Sequence, residues 1–112
     1  MTTLFEKIIN RELDSTIHYE DEEVICIEDK FPQAPVHLLI ITKKRIPSIH
    51  EMQREDRHLL AKIFTVIQEM AKKFGVESSY RVVTNHGIDA GQTVFHLHFH
   101  LLGGKTLGAK GG

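Results

Sequence analysis

The sequence predicts an α+β domain, a mainly antiparallel five-stranded sheet with one long and one short helix, and three observations carry that expectation. Five short segments have strand character, and a single long helical pattern stands between the third and the fourth, so strands and helices do not alternate as in a parallel sheet. The third observation is His96-Leu97-His98-Phe99-His100-Leu101-Leu102, where imidazole and apolar side chains alternate with the period of a strand. Such a strand presents three histidines on one side and anchors Leu97, Phe99 and Leu101 in the core on the other.

Each element has its own warrant. Thr3-Leu4-Phe5-Glu6 has the form of a capping box, which starts a short helix running to about Asn10 with the apolar stripe Leu4, Phe5, Ile8 and Ile9. Ile17 to Glu20 and Glu23 to Glu28 read as a hairpin joined at the acidic turn Asp21 and Glu22. Pro32 and Pro35 restrict their own φ and the residues before them, making Asp29 to Val36 a stiff loop. A third strand follows from His37 to Thr42, and Pro47 ends that region. From about Arg54, the residues Leu59, Leu60, Ile63, Phe64, Ile67, Met70, Ala71 and Phe74 recur at helical spacing. Lys72 and Lys73 suit the negative end of that helix, and Gly75 suits a left-handed cap. Tyr80 to Thr84 resumes strand character, residues 85–91 are turn-rich, and Val94 to Leu102 is the final strand. Residues 1–104 are expected to form a single domain, followed by a glycine-rich tail over 105–112 that is either mobile or ordered by a partner.

Composition narrows the function. A chain of 112 residues suits one domain with a real core. Fourteen basic side chains against fifteen acidic ones lack the footprint of a protein that grips nucleic acid polymers, while a small phosphorylated ligand remains allowed. Cys26 is the lone cysteine, which excludes an internal disulfide and a CxxC zinc site, and within Val24-Ile25-Cys26-Ile27 it reads as a small buried hydrophobe. Neither a signal-peptide pattern nor an apolar run of about 18 residues is present, so the expectation is a soluble, cytoplasmic protein with no membrane association.

The histidine row is the candidate site. Same-face positions on a strand lie roughly 6 to 7 Å apart, so the row can lie along a phosphate group and offer ring nitrogens to it. Imidazole is both a nucleophile and a proton carrier near neutral pH. Two plainer readings compete: solvated polar positions on a half-exposed strand, and a metal site. Metal bonds of about 2 Å need converging ligands, whereas the outer Cα atoms of this row are roughly 13 Å apart; a histidine pair with a ligand from elsewhere stays open.

Asp29, Pro32-Gln33-Ala34-Pro35-Val36-His37, Asn85 and the run Gly91 to Gly104 closely resemble the histidine triad (HIT) family in its Hint branch, over residues 4–104. The resemblance implies the HIT-like fold, with a sheet that continues across a two-fold homodimer. It implies a purine nucleoside phosphoramidase, a nucleotide hydrolase that cleaves a P–N bond at the α-phosphorus and releases AMP or GMP and an amine. His98 would be the nucleophile and carry a covalent nucleotidyl intermediate, as covalent catalysis splits one hard displacement into two easier ones. His98 would then need its second nitrogen bonded to a backbone carbonyl, leaving the attacking nitrogen free. His96 and His100 would position the phosphate, with His96 backed by His37. Gln92 would donate through its backbone amide and Thr93 through its hydroxyl, Gly91 would let the chain approach closely, and Asn85 would lie at the scissile phosphate. Asp29 would accept from the ribose hydroxyls, and Phe5, Ile8, Leu13 and Ile27 would sandwich the base. The expected partners are purine nucleoside monophosphates and their phosphoramidates, with no cofactor and no metal. Thr93 stands where serine is frequent, and the tail lacks the aromatic residue common near the end of relatives, which bears on the choice of leaving amine. His18, His50 and His58 are expected on the surface, and Lys30, Phe31 and His86 receive no role. The competing functions are a nucleotide-binding regulatory or scaffold module with negligible turnover, and a metal-dependent hydrolase.

Overall fold

A computed structural model describes residues 2–108, so Gly111 and Gly112 of the expected tail lie outside the described residues. The helices are α1 (Leu4–Ile9) and α2 (His58–Lys73); the strands are β1 (Ile17–Glu20), β2 (Val24–Glu28), β3 (Val36–Thr42), β4 (Tyr80–Val83) and β5 (His98–Gly103). They form one antiparallel sheet in the order β1-β2-β3-β5-β4. No helix among the described residues is long and apolar enough to cross a membrane.

The expected capping box is formed: the Thr3 hydroxyl accepts from the Glu6 amide and the Glu6 carboxylate accepts from the Thr3 amide. Gly75 closes α2 with φ +72, a conformation that L side chains avoid. Two boundaries differ from the sequence reading by more than one residue. α2 begins at His58 because Arg54–Asp56 forms a separate 3-10 turn, whose Asp56 is held by Lys44. β5 begins at His98, four residues later than expected. The Leu97 amide donates to the Ile46 carbonyl, and the Gln92 carboxamide donates to the Pro47 and Val94 carbonyls, so this stretch is tied to the loop after β3, and only the Leu97 carbonyl, accepting from the Thr42 amide, extends the ladder.

The two faces of the sheet are covered unequally. Val24, Cys26, Leu38, Ile40, Phe99 and Leu101 pack on one face beneath Leu59, Ile63, Val66, Ile67 and Met70 of α2. Burial pushes the Cys26 thiol up to about 12, which keeps it an inert hydrophobe there. The opposite face carries Ile25, Ile27, Leu39 and Ile41, and α1 covers only part of it with Phe5 and Ile8. Strand register places His98 beside Ile41, His100 between Leu39 and Val83, and Leu102 between His37 and Arg81, all on that thinly covered face.

Candidate active site

Beside α1 the open face forms a pocket of about 410 Å³, a size suited to a small ligand. Phe5, Ile8, Ile27 and Leu39 supply an apolar wall, His98 and His100 a polar floor, and Asp29, Asn85, Gly91 and Thr93 a polar rim. Gly91 has φ +94 and takes the turn at the end of a 3-10 segment that a side chain would strain.

Every tautomer in the histidine cluster follows from what its nitrogens face. His98 Nδ1 lies 2.6 Å from the His96 carbonyl, which can only accept, so Nδ1 carries the proton and Nε2 keeps its lone pair. His37 Nδ1 accepts from the Gln33 amide at 3.0 Å, so the His37 proton sits on Nε2, which lies 3.0 Å from His100 Nδ1. His100 Nδ1 therefore accepts, and His100 presents an N–H at Nε2. Two neighbouring rings on one strand thus offer opposite functions: a lone pair at His98 and a donor at His100.

His96 sits one layer deeper. It is fully buried, its Nε2 donates to the Thr42 carbonyl at 2.6 Å, and its Nδ1 accepts from the Thr3 hydroxyl at 3.1 Å. Burial lowers the pKa of His96, His98 and His37, and with the neighbouring rings it holds His100 down to about 4, so all four are neutral at pH 7.

Asp29 touches both the loop and the cluster. Its Oδ1 accepts from the Phe31 amide at 2.8 Å, and its Oδ2 lies 3.4 Å from His37 Nε2. Asp29, His37 and His100 bring their ligand atoms within 4.8 Å of one another, the spacing of a metal site. The donor set does not suit one, because the Gln33 amide forces the proton onto His37 Nε2 and leaves no lone pair there for an ion.

Several expectations need correction. His37 backs His100, not His96, because its strand neighbour across the ladder is Leu102 and the diagonal neighbour is His100. His96 does not line the pocket: both its nitrogens are bonded elsewhere. The Gln92 amide is occupied by the Gly87 carbonyl, and the buried Gln92 side chain braces the loop by accepting from the Gly87 amide. Leu13 is partly exposed and stands outside the pocket, since the chain turns away after α1. His18 is half-buried with its ring edge-on to Phe74, whereas His50 and His58 are exposed as expected. Sequence reasoning missed Leu39 and Phe31. Leu39 alternates with His37 on β3, which would have placed it on the site face; Phe31, 83% exposed at the rim, left no signal.

The family profile described as "Scavenger mRNA decapping enzyme C-term binding" matches residues 2–110. An "Uncharacterized HIT-like protein" of Chlamydia trachomatis is 55% identical over 97% of this chain and 98% of its own. The chain belongs to the histidine triad family. The purine nucleoside phosphoramidase of Escherichia coli is 42% identical to this HIT protein over 95% of the chain and 90% of its own length. A HIT family hydrolase from Clostridium thermocellum superposes with a TM-score of 0.93 at 50% identity, covering 97% of this chain and 96% of that one. Kinship of this extent makes the protein a HIT-family hydrolase.

Proposed function

We propose that this HIT protein hydrolyses purine nucleoside phosphoramidates through a nucleotidyl intermediate on His98. The observation that carries the reading is the pair of opposite tautomers on the pocket floor, a lone pair at His98 Nε2 beside an N–H at His100 Nε2. A phosphoryl centre under attack needs both: a nucleophile, and donors for its equatorial oxygens.

In the first step the His98 Nε2 lone pair bonds to the α-phosphorus. The P–N bond to the amine breaks, its electron pair stays with the amine nitrogen, and that nitrogen takes a proton from solvent. In the second step water oxygen bonds to phosphorus, the bond to His98 returns its pair to the ring, and a proton goes back to solvent. The net change is phosphoramidate plus water to AMP plus amine. His100, Thr93 and Asn85 hold the phosphate oxygens. His37 fixes the His100 tautomer, and the His96 carbonyl fixes that of His98. Asp29 takes the ribose hydroxyls, and Phe5, Ile8, Ile27 and Leu39 take the purine. The protein works in the cytoplasm, as a homodimer that extends the sheet.

Incubation with an adenosine phosphoramidate and acid-free mass spectrometry tests the chemistry. The expected result is a nucleotidyl adduct on the wild-type chain that His98→Ala lacks. Tight AMP binding with neither adduct nor turnover would instead establish the scaffold reading.

A further inference from the structure

A second cavity adjoins the pocket on the far side of His100. It shares Asp29, Phe31, Asn85 and His100 with the first and continues along β4 to Thr84 and Arg81. We infer that this cavity receives the leaving group, and that Arg81 selects leaving amines bearing an anionic oxyacid, a carboxylate or a phosphate. The inference rests on the reading above and adds the class of amine to it.

Geometry supplies the first argument. Attacking and departing atoms lie in line across phosphorus, so a nucleoside in the apolar pocket and a nucleophile at His98 send the leaving group past the phosphate, away from the attacking ring. Among the described residues, the cavity that continues from the phosphate position in this way is the one walled by β4. The second argument is strand register. Val83 stands directly across from His100 and Arg81 directly across from Leu102, so Arg81 shares the site face and is the diagonal neighbour of His100, about 7 to 8 Å away at the backbone. A guanidinium on its flexible stem covers that span.

The third argument is chemical. Arg81 is the full positive charge in the wall of this cavity; His37 and His100 are neutral, and the Asp29 carboxylate is turned to the Phe31 amide and His37. The guanidinium donates to the Gly108 carbonyl, which uses one of its five N–H groups and leaves the others for a ligand. Its planar fork matches a carboxylate or a phosphate better than any neutral group.

The test uses the full chain and three adenosine phosphoramidates, whose amines are glycine, phosphoethanolamine and propylamine. Wild-type protein should favour the two anionic amines over propylamine in kcat/KM, and Arg81→Gln should lower that preference about tenfold while Arg81→Lys keeps most of it. The larger loss names the anion as carboxylate or phosphate. Equal preference in wild type and Arg81→Gln, or none in wild type, overturns the inference. Failure to turn over any of the three would sink the phosphoramidase reading, and calorimetric affinities of the same intact compounds would still decide the role of Arg81.

Discussion

The two faces of the sheet are built from the same strands by the same alternation, yet one is finished and the other is left open. Under α2 the inward positions are apolar from Val24 to Leu101 except Thr42 at the end of β3, and the cluster is closed to solvent. Under α1 the apolar set stops halfway across: Ile25, Ile27, Leu39 and Ile41 occupy β2 and β3, and imidazoles take over on β5. A six-residue helix cannot cover a five-stranded sheet, and the uncovered remainder is the pocket. The closed core and the candidate site thus lie on opposite sides of β5, one residue apart.

Substitutions at neighbouring positions should separate these roles. His98→Ala should lower phosphoramidate turnover by at least about a thousandfold, measured as initial rates, with an unchanged circular dichroism spectrum, because it removes the proposed nucleophile and leaves the cluster under α2 intact. Leu101→Ala should do the reverse: a loss of about 2 to 5 kcal/mol in urea unfolding, with turnover per folded molecule retained. His37→Ala should lower kcat by roughly ten- to a hundredfold by releasing the His100 tautomer, and shift KM little. Asp29→Asn should weaken AMP binding about tenfold by calorimetry through loss of a charge-assisted bond.

A further effect concerns acid. His100 titrates near 4 in the folded chain and about 6.5 in the unfolded one, so between those values the unfolded state binds more protons. Stability should be fully present above about pH 6.5 and decline as pH falls toward 4, read from urea midpoints across that window. A midpoint independent of pH there would break the contrast between an uncharged open face and ordinary surface histidines.

Much of this was legible in the sequence, because alternation is written directly in side-chain order. The histidine row named both the strand and the pocket floor, and the apolar residues between the histidines named the core. The pairing of His37 was not legible. It depends on how β3 slides against β5, and no local pattern records that His37 lies opposite Leu102. The depth of His96 was hidden too, because the strand begins after it: contacts from Thr42 and Thr3, distant in sequence, decide that this imidazole serves the interior. The lining role of Phe31 came from loop geometry alone.

The relay from Gln33 through His37 to His100 begins at a main-chain amide. Its direction is therefore indifferent to which side chain occupies position 33, and nineteen of the twenty amino acids supply the same starting donor. Proline alone does not, so a single codon outcome, Gln33→Pro, would let the imidazoles reverse their polarity while every histidine stayed in place. The least conspicuous atom of the cluster is the one that mutation can hardly reach.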